Sequence, residues 1–236
     1  MITVTGHAGG AERFRFALAH GADPAAELAA RGWAGQVVRA HRPGAGRLEL
    51  GYAVVPAPAV GAPTAATDGS SLPAVRRDVG LTEKQVAAAL AHQRVAAYAV
   101  VRSVRGVLLT ELSSRTNAAG RWNLPGGGVE PREDPLAAVR REVSEETGQV
   151  IEAPRLLTVL TARWVGRSPR GRVEDFHAVR IFCTAWCGEP TYPVVHDVDG
   201  STSDARWARE EDLGAMPLAT SVPEALGAAG VTVPGP

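Results

Sequence analysis

Apolar residues recur along this chain with two periods, and the switches between them lay out its elements. Over Arg13 to Leu18, Phe14, Phe16 and Leu18 alternate with polar neighbours, which predicts a strand with one covered face. Asp23-Pro24 opens a short helix that runs through Arg31, with Gly32 ending it. Gln36 to His41 and Arg47 to Val55 predict a hairpin around Pro43-Gly44-Ala45-Gly46. Glu83 to Gln93 predicts a helix, and Thr82 with Gln85 three residues on reads as a capping box. Strands are then expected at Val95 to Val101, Gly106 to Leu112, Leu156 to Arg163, Phe176 to Trp186 and Ala205 to Ala208. Trp122 to Pro125 leads into a helix over Asp134 to Thr147, and Ser221 to Ala228 predicts a closing helix. Helices and strands that alternate in this way belong to the α/β class.

The helix over Asp134 to Thr147 has both ends marked. Asp134 can cap its N-terminus, Pro135 suits the first helical position, and Gly148 suits the position after the end. Leu136, Val139 and Val143 recur at three and four, so one stripe faces a core. Glu142, Glu145 and Glu146 share the same spacing and gather on a neighbouring face. Three carboxylates on one turn can be a solvated acidic face, but that leaves the glycines upstream and Glu133 without a reason. Carboxylate oxygens suit a hard divalent cation such as Mg²⁺ or Mn²⁺, which makes a metal site the stronger reading.

The run Gly127-Gly128-Val129-Glu130-Pro131-Arg132-Glu133, followed by Arg141-Glu142-Val143-Ser144-Glu145-Glu146-Thr147-Gly148, resembles the Nudix box, Gly-x5-Glu-x7-Arg-Glu-U-x-Glu-Glu-x-Gly-U with U aliphatic. Only the final U departs, since Gln149 stands there. The chain is therefore similar to Nudix hydrolases, which implies an α/β/α sandwich with a mixed sheet and cleavage of a diphosphate linked to another group. The resemblance implies Mg²⁺, with Mn²⁺ able to substitute, held by Glu142, Glu145, Glu146 and the carbonyl of Gly126. It also implies that Glu133 and Arg141 orient the ligating glutamates. The general base stays open between Glu145 and the loop residues Asp197 and Asp199. Pro125 to Gly128 is not a phosphate-cradling P-loop, because no Gly-Lys-Ser/Thr follows.

Composition sets the organisation and narrows the partners. Residues 1–56 read as a small α+β unit, 57–80 as a Pro/Ala/Gly/Ser linker, 81–229 as the Nudix domain and 230–236 as a tail. The linker suggests that a chain starting near Ala74 keeps a folded core without the unit, which could instead lid the pocket or make a homodimer contact. Lys+Arg and Asp+Glu are both 25, so no strong basic field favours nucleic acid. Neither a signal peptide pattern nor an apolar run of membrane length occurs, and the chain reads as cytoplasmic. The arginine and alanine bias suggests a GC-rich bacterial source. Cys183 and Cys187 read as buried thiols, and His7, His20 and His41 as surface or loop residues.

Substrate signatures that the family uses are mostly missing. Val165 stands where ADP-ribose pyrophosphatases have proline, no tyrosine occurs between Val150 and Thr191, and Leu108-Leu109-Thr110 only begins a coenzyme A signature. The NADH-specific downstream motif is absent as well. Candidate phosphate clamps are Arg102, Arg105, Arg115 and Arg121, and Trp122 and Trp164 could stack on a base or pack in the core. The expected substrate is a small-molecule nucleoside diphosphate derivative or nucleoside triphosphate. A prenyl or other non-nucleotide diphosphate and a non-catalytic ligand sensor are the alternatives. Retention of all three box glutamates favours the enzyme over the sensor.

Overall fold

The computed structural model describes residues 1–44, 46–58, 75–168, 171–196 and 200–235. Ala45 of the expected hairpin turn, linker residues 59–74 and the base candidates Asp197 and Asp199 lie outside them. The chain opens with β1 (Ile2–Ala8), β2 (Ala11–Ala17), α1 (Pro24–Ala30), β3 (Trp33–His41) and β4 (Leu48–Pro56). These strands form one sheet in the order β2-β1-β4-β3. The central strand β1 was not predicted from its sequence. Ile2 and Val4 are its only large apolar residues, too few to set a period, and its place comes from a parallel ladder with β4 (Ile2 beside Leu48 through His7 beside Ala53).

The second sheet is built from β5 (Arg76–Arg77), β6 (Leu90–Ser103), β7 (Gly106–Leu112), β8 (Trp122–Asn123), β9 (Gly126–Gly128), β10 (Glu152–Arg167), β11 (Val173–Trp186) and β12 (Thr202–Ala208). Its order is β12-β7-β6-β11-β10-β5, with β8 paired to β7 and β9 to β6. The helices are α2 (Glu83–Ala87), α3 (Pro135–Thr147) and α4 (Val222–Ala228). Helix α2 has its capping box, but it stops six residues before the predicted end at Gln93. Leu90 onward is strand, because β6 runs parallel to β11 from Leu90 beside Glu174 to Arg102 beside Trp186. Thirteen aligned pairs outweigh a weak local helix signal. Strand β5 also falls within the expected linker, pairing Arg76 and Arg77 with Trp164 and Val165.

Alternation in the mixed sheet feeds two cores. One face of β6, Ala97, Ala99 and Val101, packs with Ala138, Val139 and Val143 of α3. The other face, with Val100, Leu109 and Phe182, packs against Val222, Ala225 and Leu226 of α4. The result is an α/β/α sandwich. Ile2, Val4, Leu28, Val37 and Leu50 of the first sheet belong to the same buried cluster as α3. The unit at 1–56 thus shares its apolar core with the mixed sheet, so the independence suggested by the linker does not carry into the packing. Polar contacts reinforce the joint. The Gly21 N–H donates to His177 Nδ1 at 3.0 Å, and the Thr161 hydroxyl donates to Asp23 at 2.8 Å. Both cysteines are free and buried, and burial pushes the Cys183 thiol up to about 12. Among the described residues no helix is long and apolar enough to cross a membrane.

Candidate active site

Helix α3 carries the acidic cluster, and its ends are as its sequence dictates. Asp134 accepts a hydrogen bond from the Leu136 N–H, and Gly148 closes the helix in the left-handed conformation. The three glutamates share a face but not an environment. Glu146 is 4% exposed, with Oε2 accepting from the Gly126 N–H at 2.9 Å and Oε1 from the Thr202 hydroxyl. Glu142 is largely covered, whereas the Glu145 side chain is 49% exposed. A solvated acidic face does not describe this arrangement.

Arg141 ties the cluster together. Its Nε and Nη2 reach Glu133 at 2.9 Å each, and its Nη1 lies 3.0 Å from both Glu142 and Glu145. Nη2 also donates to the Gly128 carbonyl at 3.2 Å. This guanidinium holds the Glu133 carboxyl below the usual carboxylate range. At Glu142, burial raises the carboxyl and Arg141 opposes that rise. Where β9 meets the helix, a side chain on Gly127 would displace the Glu142 carboxylate, and at Gly126 the backbone itself demands glycine. A Cβ on Gly127 would lie 2.6 Å from Glu142 Oε1, and one on Gly126, at φ +144°, would run into the Ala97 carbonyl.

Among the described residues no three His, Cys, Asp or Glu side chains already surround one point in metal-binding geometry. Arg141 Nη1 occupies the position on which Glu142 and Glu145 converge. The donor chemistry nonetheless fits a hard divalent cation, since all the side-chain donors are carboxylate oxygens and two of them already meet at one cationic nitrogen.

A cavity of about 390 Å³ lies along the adjoining face of the mixed sheet. Arg94 and Tyr98 of β6, Trp164 of β10, and Phe176 and Arg180 of β11 line it, with Arg115 reaching in from the loop after β7. Register explains this grouping. Trp164 stands beside Phe176, and Phe176 beside His92, so three rings form a row with centroid spacings of 4.3 and 5.1 Å. Tyr98 pairs with Gly126, which brings this face up to the box. Arg94 comes equally close, for a Cβ on Gly128 would sit 3.3 Å from its Nη2. Arg94 and Arg180 make no ion pair among the described residues.

Of the predicted binding residues, Arg115 and Trp164 line this cavity and the others do not. Arg102 lies four residues beyond Tyr98 on β6, about 13 Å along the strand, and pairs with Glu210 at 3.1 Å. Arg121 donates to the Leu218 carbonyl at 3.1 Å. Trp122 is only 5% exposed and packs in the α4 core, with the Arg206 guanidinium 4.0 Å above its ring, so it is a core residue and not a base platform. Arg105 lines a separate cleft with Tyr192 and Arg209. Arg94, Arg167, Arg180, Tyr98 and Phe176 were missed. The available signal was an arginine interrupting an apolar strand, as in Val179-Arg180-Ile181.

Comparison with known proteins is concentrated on the same region. A NUDIX domain model matches residues 92–226, more than half of the chain. Nudix hydrolase 25 of Arabidopsis thaliana is 46% identical over 118 residues, spanning 44% of this chain and 67% of the relative. The nucleoside triphosphatase NudI of Escherichia coli is 34% identical over 100 residues, spanning 40% of this chain and 65% of the relative. A putative 8-oxo-dGTP diphosphatase 2 of Mycobacterium tuberculosis is 30% identical over 131 residues, spanning 49% and 85%. The matched segment thus spans about two thirds of the length of the first two relatives. A MutT NUDIX hydrolase structure from Burkholderia pseudomallei aligns with TM-score 0.44 and 28% identity, covering 58% of this chain and 97% of that one. A family model that spans the box helix together with the strands around it leads to one assignment: this chain belongs to the Nudix family, hydrolases that act on pyrophosphate bonds and generally use divalent metal cations.

Proposed function

We propose that this chain hydrolyses the diphosphate linkage of a nucleoside diphosphate derivative or a nucleoside triphosphate, with Mg²⁺ as the cation and Mn²⁺ able to substitute. The observation that carries this reading is the cavity in which Arg94, Arg115, Arg167 and Arg180 stand beside Trp164 and Phe176, next to the box glycines. Guanidinium groups suit phosphate oxygens, and the ring row suits a flat heteroaromatic base. The printed names of two relatives, a nucleoside triphosphatase and a putative 8-oxo-dGTP diphosphatase, point toward nucleotides as well.

In this reading the box residues hold the cation, orient one another and supply a base. Glu142, Glu145 and Glu146, with the Gly126 carbonyl, would hold the cation, which neutralises phosphate charge and lowers the barrier to attack by water. Glu133 fixes the Arg141 guanidinium, and Arg141 in turn fixes Glu142 and Glu145. Glu146 anchors the β9 backbone to α3 and β12 through Gly126 and Thr202. Glu145 is the exposed carboxylate of the set and is suited to take the proton of the attacking water. The segment leading to Asp197 and Asp199 begins beside it, since the His196 N–H donates to the Glu145 carbonyl at 2.8 Å. Either aspartate is the alternative base.

The test is turnover of a panel of nucleoside di- and triphosphate derivatives with Mg²⁺ or Mn²⁺, in wild type and in Glu142→Gln and Glu145→Gln. Each variant is expected to lose at least ~10² in kcat while keeping its circular dichroism spectrum. Hydrolysis in H₂¹⁸O is expected to place the label on a phosphate product. Near-wild-type kcat in both variants, or label on a carbon-bound hydroxyl, overturns the reading.

A further inference from the structure

The unit at 1–56 and the box loop enclose a second cleft, of about 320 Å³. Arg42 and Gly46 line it from the segment between β3 and β4, His92 and Arg94 from β6, Gly128 from β9 and Pro131 from the box loop. Among the described residues no carboxylate lines it. Arg42 crosses the joint and its Nη2 donates to the Val129 carbonyl at 3.4 Å. Arg94 approaches the preceding residue, Gly128, from the other side. Guanidinium groups from the N-terminal unit and from β6 therefore approach the consecutive residues Val129 and Gly128.

Among the described residues neither Arg42 nor Arg94 makes an ion pair, so both guanidinium charges lining the cleft lack a carboxylate within salt-bridge distance. An acceptor in this cleft would meet a cationic wall of Arg42 and Arg94, with the His92 imidazole beside it. A tetrahedral anion offers several acceptors in the directions in which a guanidinium fork donates.

We infer that this junction cleft is a binding site for a phosphate group, completed by Arg42 from the N-terminal unit and shared with the substrate cavity through Arg94. Arg94 lines both spaces, and His92 stacks on Phe176 at their border. The phosphate is either a phosphomonoester of the substrate lying beyond the scissile diphosphate, or free inorganic phosphate acting as an effector. The unit at 1–56 then sets what the enzyme recognises, and the box remains the place of chemistry.

Titration of the full chain with inorganic phosphate, followed by calorimetry, tests the site without requiring turnover, so a failed hydrolase assay leaves this arm intact. Arg42→Gln is expected to weaken one class of phosphate binding by about tenfold, as loss of a charge-assisted pair implies. Arg180→Gln, in the substrate cavity alone, should leave that class in place. Arg42→Lys keeps the charge but loses the guanidinium fork, and it should also weaken binding if the glutamine variant does not fold. Kinetics separate the sources. A KM that rises in Arg42→Gln only for substrates with an additional phosphomonoester assigns the site to substrate. Inorganic phosphate that changes the KM of wild type but not of Arg42→Gln assigns it to an effector. Phosphate titrations of the folded Arg42 variants that match wild type, with KM unchanged on every substrate, overturn the inference.

Discussion

Neighbouring residues of strand β11 face opposite sides of the same sheet and meet opposite solutions to burying polarity. Toward the N-terminal unit, Asp175 pairs with Arg163 at 2.6 and 2.9 Å and lies 3.3 Å from His20, while His177 accepts from the Gly21 N–H. Toward the cavity, Phe176 and Arg180 stand with Trp164 and Arg94, and those two arginines have no carboxylate partner among the described residues. The closed face pairs Asp175 with Arg163 and His20 within the chain, while the buried His177 Nε2 has no partner among the described residues. The open face, though Glu174 also lines it, leaves Arg94 and Arg180 outside any ion pair among the described residues, and guanidinium groups held in this way suit an anion.

If the closed face is structural, acidifying it should have the largest effect on stability. Burial, with the nearby His20 as a lesser cause, lowers His177 from 6.5 to about 4. Between those values the unfolded chain binds the extra proton more readily, so stability rises with pH through the window. It is complete above 6.5 and is lost as pH falls toward 4, by on the order of 3 kcal/mol. Urea denaturation at stepped pH measures the slope, and His177→Gln should flatten it. An unchanged slope in that variant would remove His177 from the account.

On the open face, substitution should affect binding and spare the fold. Arg180→Gln is expected to raise KM by about tenfold with kcat within about threefold, the pattern of lost uniform binding. A fall in kcat with KM constant would instead move Arg180 into the chemical step. The smallest effect is expected at Trp164. Trp164→Leu should raise KM by about threefold for a base-bearing substrate, in keeping with the ~0.5–1.5 kcal/mol of an aromatic pair. The same substitution should leave KM unchanged for inorganic pyrophosphate. Equal losses on both substrates would mean that the ring supports the cavity wall and not a base.

Truncation sharpens the comparison at the level of whole elements. Removal of residues before Ala74 was expected to leave a folded domain, because the linker composition separates the two parts. The shared cluster of Ile2, Val4, Leu50, Val139 and Val179 argues otherwise, since each part would expose an apolar face. A lower melting temperature and self-association are the expected outcome, measured by calorimetry and light scattering.

What the sequence determined by itself is local. Helix α3 was legible because Asp134, Pro135 and Gly148 mark its ends and a three-four apolar repeat marks its core face. The box was legible because glycine, glutamate and arginine positions there answer to contacts within about twenty residues, such as Gly126 with Glu146 and Glu133 with Arg141. The tertiary structure decided what depends on register between distant segments. The β6–β11 ladder joins residues more than eighty positions apart, and it ended the predicted helix early, gathered Arg94, Arg180 and Phe176, and left Arg102 elsewhere. Burial of Trp122 under α4, and of His177 under Gly21, likewise follows from packing between elements. Periodicity reports which face of an element is covered, but the chemistry of a pocket depends on which other element covers it.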